Sequence, residues 1–175
     1  MLMKILLALI VIAGVFAAVV ASRPDDFRYT RSAAMAAPQA AVFAQVNDLH
    51  KWQAWSPWVK MDPTAKSTFE GPEAGTGAKM SWDGNSKVGA GSMTIIESRP
   101  NELVRFKLDF LRPFAATQTA EFTFTPQGKQ TLVTWSMFGK SNFVAKAMAL
   151  VINCDKMVGD QFEKGLTDMK VIVEK

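Results

Sequence analysis

The chain has 175 residues, of which 49% are hydrophobic and 21% are charged, and its formal net charge is +4. This composition is typical of a folded domain and excludes a disordered or collagen-like chain. The single cysteine, Cys154, and the single histidine, His50, exclude an intrachain disulfide, a thiolate metal cluster and a two-histidine metal site. We therefore expect no metal and no cofactor, and the mild charge gives no reason to expect a nucleic-acid partner.

The first predicted element is an apolar segment at residues 5–21, with the sequence ILLALIVIAGVFAAVVA. As a helix, its 17 residues span about 26 Å, which approaches the hydrocarbon thickness of a bilayer. The segment is longer than the usual core of a signal peptide. We predict a single-pass transmembrane anchor within residues 1–21, with a signal peptide cleaved before Ser22 as the alternative. The flanking basic residues leave the side of the membrane that carries the domain undetermined.

A folded domain is predicted at residues 28–175, after a short linker at residues 22–27. Its first element is an edge strand at residues 28–36, where polar and apolar side chains are mixed. Pro38 then opens a short helix, and a second short helix with a Trp at every third position is predicted to end near Pro57. We expect residues 22–175 to fold alone as a soluble monomer.

Residues 66–138 contain six strand-like runs that are separated by Gly or Pro, which predicts an antiparallel meander. The clearest alternation of apolar and polar residues gives one strand an inner face with Val104, Phe106, Leu108 and Phe110. Residues 142–174 follow with apolar residues at helical spacing. This segment predicts one long C-terminal helix that covers the inner face of the sheet.

Several candidate functional residues have simpler structural interpretations. The glycine pairs Gly75-x-Gly77 and Gly89-x-Gly91 lead into strands and lack the rest of a phosphate-loop motif, which favours hairpin turns. Lysines interleave the carboxylates of the long helix, so we expect a salt-bridged surface there. Cys154 is expected to be a small buried apolar residue, and His50 to form local hydrogen bonds. Asp155 is the one carboxylate of this helix that we keep as a candidate functional residue, because it adjoins Cys154 at the edge of the apolar stripe.

The motifs and the element order resemble one family. The motifs are Trp55-Ser56-Pro57-Trp58, Asp62-Pro63, Gly75-x-Gly77-Ala78 with Trp82, Gly89-x-Gly91, Pro113-Phe114, Trp135-x-Met137-x-Gly139 and residues 158–166 (VGDQFEKGL). Across residues 28–174 the chain resembles the START-like (SRPBCC) superfamily, in its polyketide cyclase/dehydrase and lipid-transport branch. The resemblance implies an α+β helix-grip fold: a curved antiparallel sheet around a long C-terminal helix, with two short helices after the first strand.

The resemblance also implies a cavity between the sheet and the long helix that accepts a lipid or another small hydrophobic molecule. We predict that the ligand contacts Trp55, Trp82, Phe106, Phe110, Trp135, Leu150, Cys154 and Val158, and we assign no catalytic residue. Two alternatives are a cyclase or dehydratase acting in the same pocket, with Thr134 and Ser136 as its only polar candidates, and a protein-interaction or chaperone-cofactor domain with a filled cavity. An apolar open cavity favours ligand binding, converging polar residues favour catalysis, and a filled core favours protein interaction.

Overall fold

The computed structural model describes residues 1–175 and contains one seven-stranded antiparallel sheet. The strands are β1 (Asp26–Met35), β2 (Lys66–Glu70), β3 (Lys79–Asp83), β4 (Ala90–Arg99), β5 (Leu103–Arg112), β6 (Ala116–Gln127) and β7 (Gln130–Lys140). The helices are α1 (Leu2–Ala21), α2 (Gln39–Asn47), α3 (Leu49–Trp55), α4 (Pro57–Met61), α5 (Phe143–Ala149) and α6 (Cys154–Val173). The strand order β1-β7-β6-β5-β4-β3-β2 confirms the six-stranded meander and places β1 at one edge.

One face of the sheet is apolar and covered by helices, as the alternation along β5 predicts. On β5, Val104 and Phe106 are fully buried, and the strand register sets Phe106 beside Ile95 of β4 and Ala120 of β6. The opposite face is polar, with Arg105 of β5 paired to Glu121 of β6. The sheet thus has an inner face toward the helices and an outer face toward water, which confirms the helix-grip architecture.

The second half of the predicted C-terminal helix covers the inner face of the sheet. Phe162, Leu166 and Met169 of α6 are buried at helical spacing. Gly165 allows a close approach, because a Cβ there would lie 2.9 Å from Cζ3 of Trp135. A larger residue at this position would push α6 away from β7.

The prediction of one continuous helix over residues 142–174 is wrong, because residues 150–153 separate α5 from α6. Asn153 caps α6, and its side-chain oxygen accepts a hydrogen bond from the backbone N–H of Lys156 at 2.9 Å. Asparagine favours this cap over a helix interior, and two β-branched residues precede it. The apolar residues before the break therefore do not continue the buried stripe: Phe143 is 52% exposed and Val151 is 83% exposed.

Three short helices follow β1, where the sequence predicted two. Regular structure does stop at Ser56, as the proline rule requires, and α3 ends at Trp55. Pro57 then occupies the first position of α4, where its missing N–H costs no hydrogen bond. The same proline therefore ends one helix and begins the next.

Arg31 connects the edge strand β1 to α6. Its Nε donates a hydrogen bond to Glu163 at 2.9 Å, and its Nη2 donates to Asp155 at 3.0 Å. The guanidinium lies across Gly159, where a Cβ would overlap it. The hydrogen bond from Arg31, together with its positive charge, lowers the pKa of Asp155 below the ordinary aspartate value. This contact identifies Asp155 as a structural ion-pair partner.

Helix α1 is long and apolar enough to cross a membrane, which is weak evidence for a membrane span or for a signal sequence. Its side chains are exposed except for Val20, which is fully buried. The helix contacts α5, and residues 22–25 lead from it into β1. The apolar helix is therefore joined closely to the domain.

We predict that the Arg31 contact makes the stability of the domain pH-dependent. Because the pKa of Asp155 is lowered in the folded state, its contribution is complete above the unfolded value of about 3.9 and is lost as the pH falls through the folded value. Melting temperatures measured across acidic pH should fall less steeply for Asp155→Asn than for the parent chain. Equal slopes for the two chains would contradict this assignment.

Candidate functional site

A cavity of about 220 Å³ lies between the inner face of the sheet and the helices α3, α4 and α6. Sixteen of its nineteen lining residues are hydrophobic, and none carries an ionisable side chain. The lining residues are Trp52, Gln53, Ser56, Trp58, Val59, Ala65, Ser67, Met80, Trp82, Val88, Met93, Phe106, Leu108, Phe110, Ala120, Trp135, Met137, Val158 and Phe162. A concave, partly open apolar space with few polar groups is the usual form of a site for a small hydrophobic ligand.

An aromatic cluster forms the deep end of the cavity. The ring of Trp135 stacks on Phe162 of α6, with 4.1 Å between ring centroids, and on Phe122 of β6, with 4.7 Å. Trp52 and Trp58 meet the same ring edge to face, each with centroids 5.6 Å apart. Edge-to-face and stacked pairs are favourable aromatic geometries, so this end is rigidly packed. The cluster separates the cavity from the remainder of the core.

Trp82 forms a side wall of the cavity because its partner across the ladder is a glycine. The β3–β4 register pairs Trp82 with Gly91, and a Cβ on Gly91 would lie 2.7 Å from Cζ2 of the indole. The ring can therefore lie across β4 on the inner face, where it meets Phe110 edge to face with centroids 6.0 Å apart. In the motif Gly89-x-Gly91, Gly91 therefore leaves room for the indole ring of the wall, and Gly89 forms the turn with φ +70°.

The loop before β2 and the β3–β4 turn complete this wall and contribute Ala65 and Val88 to the lining. Asp62 holds the two segments together. Its carboxylate accepts hydrogen bonds from the Thr64 hydroxyl at 2.7 Å and from the backbone N–H of Asn85 at 2.7 Å. These hydrogen bonds lower the pKa of Asp62 below the ordinary aspartate value, and the bond from the Thr64 hydroxyl has the largest effect. A carboxylate outside the lining therefore fixes part of the lining in place.

Few polar groups reach the cavity. Gln53, Ser56 and Ser67 are the polar lining residues, and Gln53 donates from Nε2 to the sulfur of Met80 at 2.9 Å. The indole N–H of Trp135 is buried without an acceptor. No group of three or more His, Cys, Asp or Glu side chains is arranged to hold a metal ion. The site offers apolar contact and weak hydrogen bonding.

The structure brings together five of the eight predicted ligand contacts: Trp82, Phe106, Phe110, Trp135 and Val158 line the cavity. The other three lie elsewhere. Trp55 is fully buried behind the aromatic cluster, and its indole N–H donates to the carbonyl of Gln45 at 3.0 Å. Leu150 and Cys154 flank the break between α5 and α6, so the helix break directs them away from the lining.

The lining includes residues that sequence reasoning did not assign to the site, and two kinds are informative. Leu108 was predicted on the inner face but was not assigned to the site, Met93 and Met137 continue the period-two patterns of their strands, and Phe162 continues the stripe of α6, so the patterns contain all four. Ala65 and Val88 lie in connecting segments without periodicity. No sequence signal marks loop residues of this kind.

Other residues singled out in the sequence lie away from the cavity lining. Thr134 and Ser136 are on the outer face, where their hydroxyls bond to Ser32 at 2.8 Å and to Thr30 at 2.9 Å in β1. His50 donates its backbone N–H to Asp48 and stacks on Phe69 with centroids 4.1 Å apart, in agreement with a local role. These residues are explained by sheet and cap structure.

Cys154 is half-buried at the first position of α6, so the expectation of a small buried apolar residue is wrong for it. The helix break places this position beside the inner edge of β1. Burial, together with the neighbouring Cys154, raises the pKa of Tyr29 to about 12. The tyrosine hydroxyl therefore remains protonated at neutral pH.

The carboxylates of α6 form ion pairs, as predicted. Asp155 and Glu163 bind Arg31, Asp160 binds Lys156 at 2.7 Å, and Asp168 binds Lys60 of α4 at 2.7 Å. Gly75, Gly77 and Gly89 lie between strands with positive φ, as the prediction of turns requires, whereas Gly91 lies within β4; neither pair precedes a helix.

The fold and the cavity agree with the comparisons with known proteins. The family model described as polyketide cyclase/dehydrase and lipid transport matches residues 26–174, and the chain belongs to this family of the SRPBCC superfamily. Membership of a lipid-transport family implies binding of a hydrophobic ligand. The sequence matches none of the curated proteins with which it was compared.

Solved structures with the same fold share little sequence with this chain. A crystal structure of a protein from Chromobacterium violaceum has 16% identity and a TM-score of 0.61, with 87% of this chain and 99% of that one covered. Major latex-like protein 151 from Panax ginseng has 14% identity and a TM-score of 0.59, with 87% and 100% covered. The di-domain ARO/CYC BexL of the BE-7585A biosynthetic pathway has 16% identity and a TM-score of 0.63, with 89% and 52% covered. At these identities the likeness establishes the fold alone.

We predict that a large side chain at position 158 fills the cavity. In a chain of residues 22–175, Val158→Trp should retain the parent melting temperature, because the ring enters existing space, and should lose binding of the fluorescent probe phenylnaphthylamine. Overpacking would instead cost about 1 to 3 kcal/mol if no space existed. Val171→Trp is the matched control, because Val171 is 56% exposed on the same helix and outside the lining. Undiminished probe binding by a stable Val158→Trp chain would contradict the prediction.

Proposed function

We propose that the protein is a membrane-tethered module that binds a lipid or another small hydrophobic molecule, with the uncharged apolar part of the ligand enclosed between the sheet and α6. The observation that carries this proposal is the cavity of about 220 Å³ with sixteen hydrophobic residues among nineteen in its lining. The eight residues predicted from the sequence are retained as candidate contacts, with Trp82, Phe106, Phe110, Trp135 and Val158 favoured because they line this space.

The volume of the cavity limits how much of a ligand it can enclose. An apolar cavity of about 150 Å³ accepts one benzene molecule. A cavity of about 220 Å³ therefore has room for somewhat more than one ring, or for a short length of acyl chain. A larger lipid would leave the rest of its structure outside, at the half-exposed residues Phe110 and Val158.

The chemistry of the lining favours a neutral ligand part. Burying a charge without a partner is costly, and no lining residue is ionisable. Gln53 and Ser56 can each form a hydrogen bond with a hydroxyl or carbonyl of the ligand. The site therefore favours a mainly hydrocarbon or aromatic molecule with at most a few uncharged oxygen atoms at the bound end.

Binding is better supported than catalysis or protein interaction in a filled cavity. General acid–base catalysis needs a titratable side chain within reach of the reacting atoms, and the lining consists of apolar residues with one amide and two hydroxyls. The polar candidates Thr134 and Ser136 bond to β1 on the outer face. The open cavity also argues against a domain whose core is filled.

The tether is supported by the length and exposure of α1. Its twenty residues are apolar apart from Lys4, and its side chains are exposed except for Val20. Isolated exposed apolar residues are common in soluble proteins, but a continuous helix of them needs a lipid or protein environment. A helix of this length spans the bilayer as one segment.

We predict that a neutral probe binds more tightly than an anionic probe with the same rings. In a chain of residues 22–175, phenylnaphthylamine should bind with one-to-one stoichiometry, with part of its three-ring system in the cavity and the rest at the half-exposed Phe110 and Val158, and should quench Trp emission. Anilinonaphthalene sulfonate should bind roughly tenfold or more weakly, because an unpaired buried charge costs more than the 1.4 kcal/mol that corresponds to about tenfold in affinity. Fluorescence titration measures both affinities. Equal affinities, or the absence of phenylnaphthylamine binding, would contradict the proposed ligand class.

A further inference from the structure

Exposed large apolar residues outside α1 are concentrated at one end of the domain. Beyond residue 21, ten such residues are at least 37% exposed, and seven of them lie at the end of β5, in the β5–β6 connection, in α5 and around the start of α6. We call these seven the apolar rim: Leu111, Phe114, Phe143, Val144, Val151, Ile152 and Met157. Exposed apolar residues in this concentration mark an interaction surface.

Sheet topology places the rim at a single end of the molecule. The register pairs Asp26 with Lys140 and Phe110 with Ala116, so the start of β1, the end of β7 and the β5–β6 connection share one end of the sheet. Helix α5 follows β7 at this end, and α6 begins beside Tyr29 of β1. We call this the open end of the domain.

The cavity reaches the same end. Its deep residues, such as Phe106 and Trp135, are buried, whereas Phe110, Met137 and Val158 are half-exposed and lie toward the open end. Val88 of the β3–β4 turn is half-exposed there too. The partly accessible part of the lining therefore lies next to the apolar rim.

Helix α1 is attached to the open end by a short connection. Only residues 22–25 separate α1 from β1, and four residues span at most about 14 Å. Asp25 is fixed in this connection, because its carbonyl accepts a hydrogen bond from the N–H of Ser141 at 2.6 Å and its carboxylate pairs with Lys146 of α5. Helix α1 also contacts α5 directly. A membrane that contains α1 must therefore lie close to the rim.

We propose that the apolar rim docks on the surface of the lipid bilayer that holds α1, so that the open end of the cavity faces the membrane. This inference rests on the proposed function, since it needs α1 to be a retained anchor. Its independent support is the exposure of the rim: Leu111 is 67% exposed, Phe114 59% and Val151 83%. Apolar side chains of this kind enter the headgroup and upper acyl region of a bilayer. A hydrophobic ligand could then pass between the bilayer and the cavity without crossing water.

The test measures the lipid contact of single rim positions in the full-length chain. The background is Cys154→Ser, which removes the only cysteine. Phe114→Cys and Val151→Cys each place a fluorescent nitrobenzoxadiazole label on the rim. Ile96→Cys is the matched control, because Ile96 is also an exposed apolar residue, at 48%, but lies in β4 away from the open end. Each chain is reconstituted in vesicles of phosphatidylcholine and phosphatidylglycerol.

Docking predicts that labels at positions 114 and 151 emit at shorter wavelength than the label at 96. It also predicts that phosphatidylcholine carrying a doxyl group quenches the rim labels and leaves the label at 96 unquenched. Rim labels that are as water-exposed as the control would overturn docking. A blue shift that appears only as the protein-to-lipid ratio rises, without doxyl quenching, would also overturn it, because a second copy of the chain would then cover the rim.

Alkaline carbonate extraction of the same vesicles separates this inference from the proposed tether. Chains that stay with the lipid while their rim labels remain in water retain the anchor and contradict docking alone. Chains that carbonate releases contradict the anchor and, with it, the docking that depends on it. A melting curve for each labelled variant that matches the parent shows that the substitutions leave the fold intact.

Discussion

The packing of Trp135 between Phe122 and Phe162 determines how the sheet, the short helices and α6 meet. Its stacked neighbours come from β6 and α6, with ring centroids 4.7 Å and 4.1 Å away, and Trp52 and Trp58 approach from α3 and α4. Gly165 is required on α6 because a Cβ there would meet this ring at 2.9 Å. Large aromatic rings in fixed contacts resist compression, so the layers remain separated by the thickness of this cluster.

The cavity follows from where the aromatic cluster ends. Beyond Trp135, the inner face of the sheet continues across β3 to β5 with Trp82, Leu108 and Phe110. The backbone of α6, in contrast, lies close to β1 and to α2, α3 and α4. The sheet therefore extends past the helices that could fill its curve. Arg31 holds α6 against β1 from the side, through Asp155 and Glu163, which fixes the width of the remaining space. The cavity is thus the part of the inner face that the core leaves uncovered.

Most of the fold could be predicted from the sequence because strand and helix periodicities are physical consequences of burying one face. The alternation at Phe106 and Phe110 placed β5 correctly, and the family motifs gave the helix-grip order. The break at Asn153 was missed because the apolar spacing continues across it while a local cap changes the backbone direction. The predicted stripe therefore included Cys154 and Leu150, which lie outside the cavity lining, and it gave no indication of lining residues in loops, such as Val88, because no periodicity marks them.

The most direct test of the central claim is methyl NMR of a chain of residues 22–175 with ¹³C-labelled methionines. Met80, Met93 and Met137 line the cavity, whereas Met35 and Met169 are buried in the core outside the lining. If the account is correct, phenylnaphthylamine gives intermolecular nuclear Overhauser effects to the methyl groups of the first three and none to the other two. Contacts to Met35 or Met169 without contacts to the cavity methionines would show that the ligand binds elsewhere and would contradict the account.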